Sequence, residues 1–187
     1  MALWHFGTSR TIFGELIPSP VIVFQAFFQS FSEPIGPCTI LGHIGWSLSR
    51  VAIAYVLAAA AGIILGVRMG WNKYIEAIFM PLYNMIRPIP PIAWIPLAIL
   101  WFGLAELPKY FLIFLAAFCT ITMNAYQGAK TVDPILIGAS KMLGANNIQV
   151  FFTIILPSSV PTIFAGLQVA VSVCWTTVVA AEMVRSA

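Results

Sequence analysis

Four long apolar stretches, separated by short polar turns, dominate the pattern of the chain. They cover residues 42–67, 74–103, 110–126 and 158–184 and are nearly free of charged side chains. About 20 apolar residues in an α-helix cross the hydrocarbon core of a bilayer. The four stretches have 26, 30, 17 and 27 residues, so each is long enough to cross or nearly so. The pattern predicts an all-α, polytopic transmembrane helix bundle, with about four complete spans in a single domain, 1–187.

The second predicted span is interrupted in its middle. Residues 87–91 read Arg-Pro-Ile-Pro-Pro. Proline lacks the amide donor and its ring clashes with the preceding turn, so a continuous helix cannot pass through three of them. Irregular backbone at membrane depth persists only where it is buried in protein or faces a water-filled cavity. We therefore expect two half-helices that meet at an irregular joint.

The first span carries small residues at regular spacing. Gly62, Gly66 and Gly70 recur every four residues. Such spacing lets two helix backbones approach closely inside a membrane, where packing rather than hydrophobicity drives association. The three glycines are predicted to form a helix-packing surface.

Composition agrees with a membrane protein and excludes several functions. Only 8% of the residues are charged and 60% are hydrophobic, whereas a soluble domain carries about 25% charged residues. The net charge of +3 is spread along the chain, which gives no basic patch for nucleic acid. No Cys or His spacing suggests a metal site. No GxxxxGK[ST] motif is present, so ATP hydrolysis by a P-loop is excluded and the chain is predicted to be non-catalytic.

Charge at the ends of the spans gives an orientation. Arg68 and Lys73 follow the first span, and Lys130 and Lys141 lie two crossings later, on the same side of the membrane. Because Lys and Arg concentrate in cytoplasmic loops, that side is predicted to be the cytoplasm.

Three charges inside the predicted spans are candidates for a translocation pathway: Arg50, Arg87 and Glu182. A charge at the centre of a bilayer costs at least about 2.5 kcal/mol, so each requires an explanation. Arg87 at the joint is suited to meet an anion in a water-filled cavity, because its guanidinium presents a planar fork to oxyanions. In the alternative, Arg87 is structural and pairs with Glu182 or with carbonyls that the prolines free. Arg50 is close enough to its helix end to reach the interface.

The region between the third and fourth stretches is the most polar part of the chain. Within it, residues 134–144 begin with Pro, carry apolar side chains and end with Gly, which predicts a short helix. Ile135, Ile137, Met142 and Leu143 would form its apolar face. Two interpretations fit this pattern equally: a lever that docks into a groove of another protein, or an amphipathic helix on the membrane surface.

Residues 128–157 resemble the cytoplasmic EAA loop of ABC-importer permeases. That pattern is Glu-Ala-Ala, three residues, Gly, nine residues, then Ile-x-Leu-Pro. Here every interval is kept, and the positions are Gly138, Ala139, Ser140, Gly144, Ile154, Leu156 and Pro157. Gly138 and Ser140 depart from the pattern. Residues 87–103 and 175–182 are similar to the taurine, aliphatic-sulfonate and nitrate branch of the same family.

The resemblance implies a MetI-like permease fold in the bacterial inner membrane and a specific division of labour. The chain would form the pathway for a small anion such as taurine or another alkanesulfonate, nitrate or bicarbonate. It would contact an ABC ATPase dimer through Gly138, Ala139, Ser140, Met142, Leu143, Gly144, Ile154, Leu156 and Pro157. The ATPase would hold ATP and Mg, so no cofactor is expected in this chain.

Further partners implied are an extracytoplasmic substrate-binding protein, a second permease copy and the lipid bilayer. Family members begin earlier and continue further, so the sequence is expected to be truncated at both ends. The alternative function is an ion channel or another integral membrane subunit, since a ring of Arg87 side chains in a symmetric oligomer would also select anions.

Overall fold

The structure is a computed structural model that describes residues 20–32 and 39–185. Every regular element in these two ranges is a helix. The chain divides into two compact units, Met1–Ser49 and Arg50–Ala187. Helix α1 (Pro20–Ser32) belongs to the first unit, and the sites described below belong to the second. The single-domain organisation of 1–187 stays a prediction.

Three helical segments are long and apolar enough to cross a membrane. They are helix α2 (Ile40–Trp71), helix α5 (Leu107–Lys130) and the segment Asn147–Glu182. A pair of bent helices, Lys73–Ile86 and Pro91–Phe102, adds a fourth span if the pair is one crossing. The predicted all-α polytopic bundle with about four spans is therefore confirmed.

The break at the prolines lies where the sequence places it. Helix α3 (Lys73–Ile86) ends just before Arg87, a 3-10 turn covers Pro91–Trp94, and helix α4 (Ile95–Phe102) follows. The two halves are bent by 87°. Gly103 ends α4 with a φ of 77°, a backbone conformation that residues other than glycine rarely adopt.

Helix α5 packs against both α2 and the last span, through small residues. Gly62, Gly66 and Gly70 of α2 all face α5. At Gly70 an added Cβ would lie 2.5 Å from the Cβ of Ala129 and 2.8 Å from the Tyr126 carbonyl oxygen. No side chain fits at such distances, so glycine sets the separation of these two helices.

Other small residues fill the interior around the same helix. Ala54, Ala58, Ala117, Ala170 and Cys174 form a buried core with Ile113 and Ile121. Gly128 of α5 lies against Ser159, and Gly166 lies against Asn124. Close backbone approach on both sides makes α5 the central helix of the second unit.

The third span is longer than the predicted 110–126. It begins at Leu107 with Pro108 in the first turn, where a missing amide costs nothing, and continues to Lys130. The polar turn between the predicted spans 74–103 and 110–126 is correspondingly shorter. Lys109 lies inside the helix and is buried.

The predicted start of the last span, at residue 158, is wrong. A short helix α7 (Asn147–Val150) continues through a π-helical turn (Phe151–Ile155) into helix α8 (Leu156–Arg185). In the π turn the amide of Leu156 bonds to the Phe151 carbonyl. Pro157 then occupies the first turn of α8, where its missing donor is tolerated. The last span therefore starts earlier than residue 158.

The short helix between α5 and α7 is helix α6 (Pro134–Met142). The carboxylate of Asp133 caps it by accepting from the amide of Ile135 at 2.8 Å. Gly144 follows the helix with φ of 87°, which explains the glycine at this position. Asn146 and Gln149 then form a capping box that starts α7.

Candidate translocation site and coupling loop

A cavity of about 360 Å³ lies at the joint of the broken span. It has room for on the order of ten water molecules at roughly 30 Å³ each. Its walls come from α3, the proline joint, α5 and α8. The side chains that line it include Tyr83, Arg87, Trp94, Cys119, Thr120, Asn124, Gln127 and Val173. The cavity is the feature that justifies irregular backbone at membrane depth.

Arg87 is exposed and lines this cavity. Among the residues that the structure describes, its side chain makes no ion pair and no hydrogen bond. Its backbone amide bonds to the Tyr83 carbonyl at 2.9 Å, which fixes the residue at the end of α3. A cation is favoured at a helix C-terminus by the dipole. The structural alternative, pairing with Glu182, is not what the structure shows.

One face of α5 supplies the polar wall of the cavity. Thr120, Asn124 and Gln127 are spaced four and three residues apart, which places them on one side of a helix. The α5 residues that line the cavity run from Leu115 to Gln127, about 18 Å at 1.5 Å per residue. The cavity therefore occupies the part of α5 that leads towards α6.

Arg50 and Glu182 lie together, at the opposite end of α5. Arg50 is only 6% exposed. Its Nη1 donates to Glu182 at 2.9 Å and its Nη2 pairs with Glu106. Lys109 donates to the other oxygen of Glu106 at 2.9 Å. Arg50 is therefore a buried cation that is paired with two carboxylates. Its reach to the membrane interface stays a prediction.

Glu106 precedes helix α5 and has a perturbed pKa. Burial raises the pKa of its carboxyl, but the hydrogen bond from Lys109 and the charge of Arg50 together lower it. The net effect is a pKa below the ordinary value of 4.5, so the carboxyl is ionised and balances two cations.

A second polar cluster joins α3 to the far end of α5. The carboxylate of Glu76 accepts from the Tyr126 hydroxyl at 2.6 Å and from Lys130 at 2.5 Å. Lys130 also lies over the Tyr126 ring, 5.7 Å from its centroid. The other end of α3 is held by the Tyr83 hydroxyl, which donates to the Cys119 carbonyl at 2.5 Å. Polar bonds thus fix α3 against α5 at both ends.

Helix α6 exposes large apolar side chains. Met142 and Leu143 are each 90% exposed, and Ile135 is 76% exposed. Ile137, which the sequence pattern places in the same face, is instead partly buried against the core that contains Val150. At Gly138 an added Cβ would meet nothing within 4 Å. The helix therefore presents a free apolar surface outside the spans.

The end of the same region is anchored to the bundle. Ile154 and Leu156 pack against a buried core that contains Val150 and Ile155. Pro157 is exposed. The exposed helix α6 is therefore followed by a segment, residues 150–156, that packs into the helix bundle. In the described residues, no group of three or more His, Cys, Asp or Glu side chains is placed to hold a metal ion.

Comparison with known proteins decides the family. Residues 58–186 match the family described as "Binding-protein-dependent transport system inner membrane component". The match covers most of the chain, including the cavity and α6. The chain belongs to this permease family.

Individual permeases of the family confirm the branch expected from the sequence. The taurine transport system permease protein TauC of Escherichia coli is 36% identical over 185 residues, 98% of this chain and 67% of TauC. The nitrate import permease protein NrtB of Synechocystis is 36% identical over 175 residues, 91% of this chain and 64% of NrtB. The chain thus spans about two thirds of the length of these relatives.

Several residues of the site were not identified from the sequence. The cavity face of Thr120, Asn124 and Gln127 was missed, although three polar residues at helical spacing within an apolar span are a usable signal. The Glu106 partner of Arg50 was missed because it lies in a connection, where a carboxylate is ordinary. Glu106 and Arg50 are 56 residues apart in the sequence, and only the tertiary structure brings them together.

Proposed function

We propose that this chain is the membrane-spanning permease subunit of an ATP-driven importer for a small anion, and that a separate ATPase drives it. The observation that carries the proposal is the exposed apolar surface of α6 and Leu143 in the EAA-spaced loop of a permease-family chain. An exposed apolar helix outside the spans requires either a partner or lipid to cover it. The EAA-like spacing of this loop supports a protein partner over lipid.

The coupling surface consists of a helix and an anchored base. Met142 and Leu143 would enter a groove of the ATPase, as amphipathic helices do in other complexes. Gly138, Ala139 and Ser140 form the middle of the helix, and Gly144 ends it. Ile154 and Leu156 pack into the bundle just before Pro157. A displacement of α6 would therefore be transmitted to α8.

The translocation pathway runs past Arg87. A guanidinium that lines a cavity lowers the electrostatic barrier for an anion that leaves water. The relatives named for taurine and nitrate act on small anions, which supports taurine or another alkanesulfonate, nitrate or bicarbonate as the substrate. Arg50 and Glu182, also candidates from the sequence, would serve the pathway indirectly by holding its walls together.

The proposed assembly has several members besides this chain. An ABC ATPase dimer would bind ATP and Mg, and an extracytoplasmic binding protein would deliver the substrate. A second permease copy, in a homodimer, would complete the pathway, because about four spans do not easily enclose one. The assembly would lie in the bacterial inner membrane, with no catalytic residue or cofactor in this chain.

The coupling role is tested by placing a charge on α6. The full-length permease with Leu143→Asp is expected to lose copurification with its ATPase and to lose transport. Leu104→Asp is the matched control, because Leu104 is 85% exposed and precedes the other end of α5. Normal copurification and transport by Leu143→Asp would refute the coupling role.

A further inference from the structure

Lys130 is the last residue of α5, and only a short connection, residues 131–133, separates it from α6. The amide and the hydroxyl of Thr131 both donate to the Gln127 carbonyl, at 3.0 and 2.9 Å. At the other end of the connection, the Asp133 carboxylate caps α6. A short connection that is hydrogen-bonded at both ends has little conformational freedom. A displacement of α6 would therefore move the end of α5 with it.

Helix α3 is attached to the rest of the second unit mainly by polar bonds. The structure describes all 14 of its residues, and Tyr83 is the only buried one. In a membrane, lipid covers exposed apolar faces, so packing and interhelical hydrogen bonds decide where a helix lies. At one end of α3, the Tyr83 hydroxyl bonds to the Cys119 carbonyl. At the other end, the attachment is the Glu76 cluster, which consists of Glu76, Tyr126 and Lys130.

In the Glu76 cluster, one carboxylate of α3 receives two donors from one face of α5. Its Oε1 accepts from the Tyr126 hydroxyl at 2.6 Å and its Oε2 accepts from Lys130 Nζ at 2.5 Å. Lys130 Nζ also lies 5.7 Å from the centroid of the Tyr126 ring. A single exposed ion pair contributes little to stability, whereas a charge-assisted network with defined geometry holds two elements together. The Glu76 side chain is only 23% exposed, so water screens it in part.

Helix α3 connects this cluster to the cavity. Glu76 and Arg87 are separated by about 16 Å at 1.5 Å per residue. Pro81 lies between them, inside the helix, without interrupting it. The Arg87 amide donates to the Tyr83 carbonyl at 2.9 Å, so the position of Arg87 follows that of α3. A shift of the Glu76 end would therefore reach Arg87 in the cavity wall.

We propose that Glu76 is a positioning residue for Arg87. Its bonds to Tyr126 and Lys130 make α3 follow the end of α5, so that a displacement of α6 reaches the cavity wall through α3 as well as through α8. Without these bonds, α6 still binds its partner, but α3 no longer moves with α5. This inference rests on the proposed function, in which an ATPase displaces α6.

Cys119 provides the readout, because it lines the cavity. The full-length permease, with every other cysteine replaced by Ser, is reconstituted with its ATPase and binding protein in lipid nanodiscs. The rate at which a small thiol reagent alkylates Cys119 is measured on the permease chain, with and without a non-hydrolysable ATP analogue and Mg. The measured quantity is the ratio of the two rates, which requires no transported solute.

Charge reversal should remove the response to nucleotide, and exchange of the two charges should restore it. In the wild type, the two rates should differ at least about fivefold, the lower end of typical coupling between two sites. Glu76→Lys and Lys130→Glu should each lower the ratio to less than about twofold, because like charges then face each other. The double variant Glu76→Lys/Lys130→Glu forms the pair again and should recover at least about threefold. A role in stability alone would change the melting temperature and leave the ratio unchanged.

Two further variants complete the experiment. Arg68→Glu is the matched control, because Arg68 is exposed at the end of α2 and forms no ion pair among the described residues. It should keep the wild-type ratio. Tyr126→Phe removes a single hydroxyl, which is the milder change should charge reversal prevent folding, and should lower the ratio at least about twofold. Copurification with the ATPase and an unchanged rate without nucleotide verify that each variant is folded.

Three outcomes would overturn the inference. If the single reversals and Tyr126→Phe keep the wild-type ratio, or if the double variant stays as low as the single ones, Glu76 does not position Arg87, and the coupling role of α6 stands. Loss of ATPase copurification in the single reversals would show that the cluster shapes the docking surface instead. If nucleotide changes nothing in the wild type with its ATPase bound, the proposed coupling role fails together with this inference.

Discussion

Arg87 lies between helix α3 and the prolines, where a regular helix cannot continue, and it lines the cavity. The sequence predicted the joint because proline chemistry is local. It left open whether Arg87 pairs with Glu182, because pairing depends on which helices become neighbours. In the structure, Glu182 forms an ion pair with Arg50 instead.

Transport should depend on the charge of Arg87. We expect Arg87→Gln to reduce the uptake rate at least about tenfold, which corresponds to about 1.4 kcal/mol in the barrier, because an anion would leave water without a compensating charge. Arg87→Lys, which keeps the charge but not the planar fork, should retain more activity. Uptake in proteoliposomes checks this. Unchanged rate and selectivity in Arg87→Gln would remove Arg87 from the pathway.

The Arg50 cluster should respond asymmetrically to mutation. Arg50 is buried, whereas its partners Glu106 and Glu182 are each more than 40% exposed. The double variant Glu106→Gln/Glu182→Gln leaves an unpaired buried cation and should cost roughly 3–5 kcal/mol of stability. Arg50→Met leaves carboxylates that water can solvate and should cost less. Unfolding in mixed detergent measures both, and equal losses would contradict the assignment.

Acid should weaken the same cluster through Glu106. Its pKa in the folded protein lies below 4.5, so its contribution is complete above pH 4.5 and is lost as the pH falls through the lower, folded value. The melting temperature of the wild type should therefore fall more steeply below pH 4.5 than that of Glu106→Gln. Parallel acid limbs for the two proteins would show that Glu106 contributes nothing.

At the scale of elements, α2 and α5 are held together by the absence of side chains. An added Cβ at Gly66 would clash with the backbone of α5 around Thr122 and with Ala125. Gly66→Ala should cost about 1–3 kcal/mol by overpacking. Gly45→Ala on the same helix meets nothing within 4 Å and should be neutral or stabilise by roughly 0.5–1 kcal/mol. Thermal unfolding compares the two, and equal effects would argue against tight packing.

The boundaries of elements were harder to predict than their existence. Apolar length identified each span, since a bilayer requires it. The predicted start of the last span at residue 158 was wrong because proline is excluded only from a helix interior. The π turn that precedes Pro157 places this residue in the first turn of α8. The prediction that Ile137 belongs to the exposed apolar face of α6 was also wrong. A short helix has several apolar residues, and only packing decides which of them face inward.

At the scale of the molecule, the second unit places its two charged clusters, around Arg50 and around Glu76, at opposite ends of α5. The Arg50 cluster surrounds the start of α5, and the cavity leads from its middle towards the Glu76 cluster and α6. The family and the number of spans were predictable from the sequence, because composition and motif spacing can be read without knowledge of tertiary contacts. The cavity wall was not, since it is assembled from four elements.

An importer driven by a cytoplasmic ATPase requires the loop with α6 to lie in the cytoplasm, one crossing away from the connection before α5. In a cysteine-free background of the full-length permease, Leu143→Cys and Leu104→Cys are labelled with a membrane-impermeant maleimide in intact cells and in inverted vesicles. We predict that Leu143→Cys reacts only in inverted vesicles and Leu104→Cys only in intact cells. Labelling of Leu143→Cys from outside intact cells would contradict the importer account.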